Sequence, residues 1–469
     1  MKPKTYFDKL DFEQLMVDYP VGDPFLETYR AMNSEQLREL QNTRFLTLVK
    51  RAWEIPFYQR VWGNAGIVAG DINSLDDIEK LPLISKSDIM DSVERCPPFG
   101  DFSGLEGLSP EERPSVVFHT TSGTTGTPQP LLFGAKGREV QSLLVARGYH
   151  LMGLPPASVV QSCYGHGTIN GGHYIREAVT HYTNSVFLSA GTGLETPSVR
   201  QVQLMKTYGV NVLVGFADYI KKLADVARAE GLEPGVDIKI DMIIGHLGQG
   251  EAREALRQAW GGEVQLFDWY GVGDTGSIAG EGPEQDGMYV WEDAQYLEVL
   301  DTETNQPVVE GMPGNMVVTC LHKDDVYPLI RFNTCDITEV IPGQNSLGIP
   351  FRRIRGFLGR SDNMVKLRGI NIYPTGIGAI LEQRSETLGE YICRVSKDST
   401  GREAMMVIAE VSGEPEDYPQ LQQAYAELLR KELGIEIGVE LVGEGGTAAL
   451  TEIDSRQKPR RLLDDRDQA

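Results

Sequence analysis

The sequence has little of what marks a secreted, membrane-bound or nucleic-acid-binding chain. Its 469 residues contain five cysteines, Cys96, Cys163, Cys320, Cys335 and Cys393, and no CxxC pair. Neither a zinc ribbon nor a disulfide framework is indicated, and reduced thiols in a cytoplasmic protein are expected. Cys320 and His322 form an isolated C-x-H, short of the patterned ligand sets that zinc usually takes. No stretch reaches the roughly 18 apolar residues of a membrane helix. The opening MKPKTYFDKLDFEQ has no apolar core for a secretory signal. Positive charge is scarce: 44 Lys and Arg stand against 67 Asp and Glu, a formal net charge of −23. That balance disfavours polyanions, so neither nucleic acid nor an anionic membrane is expected as a partner. With 41% hydrophobic and 24% charged residues, a disordered chain and a coiled coil are excluded. What is plentiful is glycine: 51 residues, about 11% against the roughly 7% that is usual.

The length suits about three domains, or one large and one small. Asn33 can cap a helix with Gln36 at its third position, and Pro56 is expected to end that helix. From about residue 115, apolar runs alternate with helical stretches. Ser158–Cys163, Ser185–Leu188, Asn211–Val214, Lys239–Ile244 and Val264–Phe267 read as buried strands. Val199, Val202, Met205 and Tyr208 recur at helical spacing between them, as do Ile220, Leu223, Ala224 and Ala227. Such alternation predicts an α/β fold with a mainly parallel sheet, whose ligands sit at the carboxyl ends of the strands. Residues 289–338 read as an antiparallel β region. The last hundred or so read as a small α+β domain, with a hairpin around Asp398–Gly401 and a helix stopped by Gly434.

The glycine is clustered. Thr121-Ser122-Gly123-Thr124-Thr125-Gly126-Thr127-Pro128 lies between two strand-like runs, 115–119 and 131–133. Glycines let a backbone approach an anion, while N–H and hydroxyl groups donate to its oxygens. No GK[ST] follows, so this is not a Walker A loop. On composition alone, a plain Ser/Thr/Gly loop is an equal reading.

This segment resembles the phosphate loop of adenylate-forming enzymes, and further stretches follow in that superfamily's order. Asp268-Trp269-Tyr270-Gly271 resembles the aromatic-glycine motif beside adenine. Arg331–Asp336 resembles the segment whose Asp holds the ribose. Gly359-Arg360-Ser361-Asp362 and Lys366–Gly369 resemble the hinge, and Lys458 the catalytic lysine. Pro56–Tyr58, Asp76–Pro82, Tyr164-Gly165, Gly171-Gly172, Trp291–Asp293 and Arg368–Pro374 resemble the phenylacetate-CoA ligase family in particular. The likeness runs from about residue 34 to 466.

The resemblance implies a large adenylation domain, 1–361, and a small mobile domain, 362–469. It implies that a carboxylate attacks the α-phosphorus of ATP, giving an acyl adenylate and pyrophosphate, with Mg²⁺ present. Thr121–Thr127 would cradle phosphates, Tyr270 would flank adenine, and Asp336 and Arg360 would meet the nucleotide. Lys458 would bridge the reacting oxygens, and Asp362 would be the pivot that brings the Lys366 loop in for a second step. The acid pocket would be lined by Tyr164, His166, Asn170, Gly171, Gly172, Phe216, Gly245 and His246. Its polar members suggest an aromatic acid with a ring hydroxyl or amino group, although a lone buried histidine is as often a satisfied core residue. The acceptor would be CoA, or alternatively an amine or hydroxyl, since no basic patch for the CoA phosphate is evident. A homodimer is expected from the resemblance. Two departures stand out. Thr127 and Gln129 flank Pro128 where a lysine is usual, and Gly273-Asp274-Thr275 replaces the usual Ser/Thr-Glu. Asp274 is the candidate Mg²⁺ ligand, and Thr275 could supply the hydroxyl. A non-catalytic adenylate-binding protein is the remaining reading, motivated by those same departures.

Overall fold

The structure, a computed structural model, describes residues 5–121, 128–247, 251–361, 365–367, 370–397, 403–453 and 459–466. The chain divides into two compact units. Met1–Leu247, Arg257–Thr334 and Thr338–Gly356 form the first; Gly248–Leu256, Cys335–Ile337 and Phe357–Ala469 form the second.

In the first unit, helix Ser34–Ala52 opens with a capping box. Asn33 accepts from the Gln36 N–H, and Gln36 accepts from the Asn33 N–H, both at 2.9 Å. The helix stops at Ala52, four residues before the expected proline. Pro56 instead begins a second helix, Pro56–Asn64. At a first helical position its missing N–H has no partner to lose and its fixed φ suits the turn.

Five strands run parallel, side by side: Val186–Ser189, Val159–Ser162, Val212–Phe216, Met242–His246 and Gln265–Val272. Helices Gly171–Tyr182, Ser198–Tyr208 and Ala217–Ala229 connect the first four. The fold is α/β, as the alternating pattern predicts. Lys239 and Ile240 fall outside the strand predicted for them. Val186–Ser189 is half-exposed rather than buried, because it ends the sheet and has one neighbour only.

Gln265–Val272 then pairs antiparallel with Gly276–Glu281. Beyond it the sheet continues through Met288–Val290, Arg353–Ile354, Phe332–Ile341, Pro313–Cys320 and Gln295–Leu300. This is the β region expected from residue 289 on. Helix Ala135–Leu151 is almost wholly buried beneath this architecture.

In the second unit the strand order is Gly438–Val442, Glu403–Val411, Thr387–Lys397, Leu462–Asp464. The two central strands form an antiparallel hairpin, and each edge strand joins parallel. The hairpin's predicted turn at 398–401 lies outside the described residues. Helix Tyr418–Leu433 contributes Tyr425 and Leu429 to the same buried core as Val395 and Val407 of the hairpin. It ends at Gly434 in the left-handed region, φ 69°, which glycine adopts without a Cβ clash. Among the described residues no helix is long and apolar enough to cross a membrane.

Candidate active site

Ser122, Gly123, Thr124, Thr125, Gly126 and Thr127 lie outside the described residues, but the stem that carries them does not. Val117–Thr120 and Pro130–Phe133 pair antiparallel, with Thr120 opposite Pro130. The Thr121 N–H donates to the Gln129 carbonyl at 3.0 Å, and the Gln129 N–H donates to Thr121 Oγ1 at 3.2 Å. The two ends of the glycine-rich segment are thus fastened to each other. The Thr120 N–H also donates to the Thr168 carbonyl at 2.7 Å.

Behind the stem sits a buried polar cluster. Gln129 Nε2 donates to Asp274 Oδ1 at 2.5 Å, and Tyr327 OH donates to the same oxygen at 2.7 Å. Lys323 Nζ donates to the Asp274 carbonyl at 3.1 Å and lies 3.9 Å from the centre of the Tyr327 ring. Exposure is 1% for Gln129, 5% for Asp274 and 0% for Lys323. Burial pushes the Asp274 carboxyl above the usual range and the Lys323 ammonium down to about 8, while each charge favours the other.

A direct Mg²⁺ ligand keeps company with water and phosphate oxygens. The Asp274 carboxylate is enclosed, already takes two donors on one oxygen, and has an ammonium beside it. It does not fit that role. Thr275 is fully buried and donates to the Gly276 carbonyl at 3.0 Å.

The neighbouring strand places the aromatic-glycine residues. Asp268 Oδ1 accepts from the Trp269 N–H at 2.7 Å and Oδ2 from the Leu247 N–H at 3.4 Å. Tyr270 is buried among core residues such as Ile278 and Ala279. A Cβ on Gly271 would lie 2.3 Å from the Gly276 carbonyl oxygen, so the tight return of this strand requires glycine. In the second unit, Asp336 and Arg360 face each other across two strands, with Arg360 Nη1 donating to Asp336 Oδ1 at 2.6 Å. Lys366 belongs to the strand Val365–Leu367, but its side chain is outside the described residues, as is all of Lys458.

At the carboxyl ends of the parallel strands, four rings gather. Tyr164 lies 5.1 Å from Phe216 edge-on, Phe216 5.1 Å from His246, and His246 5.0 Å from Trp269 edge-on. Tyr164 OH is 3.1 Å from His246 Nδ1. Phe216 and His246 are half-buried. The residues just before them, Gly215 and Gly245, are register partners, and a Cβ on Gly245 would lie 1.7 Å from the Gly215 carbonyl oxygen. Trp269, which the resemblance places beside the nucleotide, packs against Tyr164 and His246.

The remaining pocket candidates separate. His166 is half-buried against Phe187 and His173. Asn170 is 1% exposed; its Oδ1 accepts from Arg138, and its Nδ2 donates to the Gly273 carbonyl at 3.1 Å. It is a structural link rather than a wall. Gly171 opens helix Gly171–Tyr182, and a Cβ on Gly172 would meet the Gly165 carbonyl at 2.5 Å. Lys323 and Tyr327 were not singled out by the sequence. A lysine two residues after the largely apolar run Met316–Leu321 is the one signal that could have found the former.

Cys320 and His322 are both buried, with His322 Nδ1 3.2 Å from the Ala294 carbonyl. They belong to no metal-like cluster among the described residues. The one such group there is Cys96, Asp101 and Glu106, where Arg60 and Ser92 already hold the Asp101 carboxylate.

A family profile described as AMP-binding enzyme C-terminal domain matches residues 369–466. A phenylacetate-coenzyme A ligase of Thermus thermophilus is 31% identical over 394 residues, 82% of this chain and 83% of that protein. The chain belongs to the phenylacetate-CoA ligase family. Another member, from Aromatoleum evansii, is 28% identical over 425 residues, 88% of this chain and 91% of that one. Among solved structures, 2-hydroxyisobutyryl-CoA ligase in the postadenylation state with 2-HIB-AMP matches with a TM-score of 0.77 at 26% identity, covering 93% of this chain and 91% of that one. An amide bond synthetase from Marinactinospora thermotolerans shares the fold, with a TM-score of 0.51 at 14% identity over 72% of this chain and 67% of that one. As a phenylacetate-CoA ligase family member, the chain is an ATP-dependent, AMP-forming acid ligase.

Proposed function

We propose that this ligase activates an aromatic acid bearing a ring hydroxyl or amino group and transfers the acyl group to CoA. The observation that carries the substrate class is the Tyr164–His246 pair, set among the rings of Phe216 and Trp269. Flat apolar faces suit an aromatic ring. The pair offers a donor and an acceptor, whichever tautomer His246 holds. A site built around such a pair discriminates against acids lacking the matching group, because its polar atoms are then left unmatched.

In the first step a carboxylate oxygen attacks the α-phosphorus and pyrophosphate leaves. Thr121–Thr127 would cradle the phosphates with backbone and hydroxyl donors, and Lys458 would offset the repulsion between the two anions. Asp336, its carboxylate oriented by Arg360, would accept from the ribose hydroxyls. In the second step the CoA sulfur attacks the acyl carbon and AMP leaves, with the Lys366 segment brought in by the hinge at Asp362.

ATP–pyrophosphate exchange over a panel of acids tests the substrate. Hydroxy- or amino-substituted benzoates should lead; a clear preference for unsubstituted phenylacetate would overturn the ring-substituent assignment. CoA consumption with a thioester product tests the acceptor. An amide or ester formed without CoA loss would move the assignment to an amine or hydroxyl acceptor. A homodimer is the expected assembly, and light scattering measures it.

A further inference from the structure

We infer that Asp274 is a positioning residue that fixes the stem of the 121–129 segment through Gln129, and is not a magnesium ligand. The inference rests on the nucleotide-binding reading of that segment.

The connection is continuous. Asp274 Oδ1 accepts from Gln129 Nε2, and the Gln129 backbone in turn holds both the N–H and the hydroxyl of Thr121. One carboxylate oxygen therefore sets the lateral position of the closed end of the loop. Tyr327 locks that oxygen from a second direction, and the Tyr327 ring is itself wedged edge-on against Phe102, with ring centres 4.6 Å apart. Lys323 offsets the buried negative charge from behind and reaches no solvent, so its cation serves the cluster and not the phosphates.

The two departures noted in the sequence are then one arrangement. A lysine at 129 would direct its charge at the nucleotide or at Asp274. Glutamine instead supplies a neutral donor of suitable length. The shorter Asp274, in place of glutamate, keeps its carboxylate behind the stem. Magnesium that accompanies ATP would take its ligands from the triphosphate and water.

The test is ATP binding by calorimetry on the full chain, in excess magnesium and again across a magnesium titration. Asp274→Asn and Gln129→Leu should each weaken ATP about tenfold, the effect of losing a hydrogen bond to a charged group. The double substitution should weaken ATP no further than either alone, since both break one path. The magnesium concentration for half-maximal ATP binding should stay within about twofold of wild type. Asp274→Asn combined with Gln129→Glu reverses donor and acceptor and should regain most of the affinity, whereas loss of a metal ligand would not be rescued this way. Should Asp274→Asn melt early, Tyr327→Phe keeps the ring, removes one donor to the same oxygen and should weaken ATP about threefold. A tenfold rise in the magnesium requirement of Asp274→Asn, or no rescue by the reversed pair, overturns the inference. Wild-type protein that binds no ATP overturns the nucleotide reading and this inference together. Normal wild-type binding with unaltered affinity in all variants overturns the inference alone.

Discussion

The two sides of the site are built differently. The stem side rests on charged and polar groups that are wholly buried and multiply bonded: Gln129, Asp274, Lys323 and Tyr327. The ring side, proposed above to face the acid, rests on aromatic contacts, two of its rings half-exposed, together with the Tyr164–His246 hydrogen bond. On the proposed reading the stem side faces a triphosphate, which is the same in every reaction, so its groups can be fixed at the cost of burying charge. Acids differ, and a wall of edge-to-face rings can change one member without unsettling the rest. The stem should therefore fail by unfolding, and the wall by altered choice of substrate.

The largest effect is expected on the stem. Lys323→Met leaves the Asp274 carboxylate buried without its cation and should cost about 4 kcal/mol in urea unfolding. A loss below about 1 kcal/mol would erase the contrast.

Next comes the pH dependence of the same region. His322 is fully buried and its imidazolium is disfavoured, its pKa pushed down to about 3 by burial. The unfolded chain takes up the proton first as the pH falls. The contribution is therefore complete above about pH 6.5 and is lost progressively below it, on the order of 3 kcal/mol by pH 4. Unfolding curves at several pH values check this, and His322→Gln should flatten the slope.

On the acid side, His246→Phe should leave unfolding within about 1 kcal/mol of wild type. It should lower kcat/KM for a ring-hydroxylated acid about thirtyfold relative to its unsubstituted analogue. Equal losses for both acids would break the comparison from the other end. The smallest effect is Tyr164→Phe, which keeps the ring and removes one hydroxyl. A three- to fivefold loss of discrimination, about 1 kcal/mol, is expected in the same competition assay.

The sequence made the fold legible where periodicity is strong. The parallel strands, the hairpin of the small unit, the Asn33 cap and the Gly434 stop are all local patterns. Pro56 was misread because a proline four residues past one helix looks like a terminator, although it serves equally well as the first residue of the next. Asp336 and Arg360 were picked separately, by resemblance, and prove to be cross-strand partners. The Gln129–Asp274 bond was out of reach. It joins positions 145 residues apart, and although each stands out as a departure from the family's pattern, nothing in the sequence pairs one with the other. The Asn170–Arg138 bond was out of reach for a similar reason, since nothing in either segment announces the other.

Gly215 and Gly245 have a practical consequence for anyone wishing to redirect this enzyme. A Cβ on Gly245 would strike the Gly215 carbonyl oxygen, and one on Gly215 would lie 2.8 Å from Cys163 Cβ, so neither position tolerates enlargement. Substitutions there force the neighbouring backbone or Cys163 to move. The next residues in each strand, Phe216 and His246, carry no such restriction. The same two strands thus offer a forbidden position and a designable one in immediate succession, and if the ring group lines the acid pocket as proposed, a library confined to 216 and 246 samples substrate preference without sampling collapse.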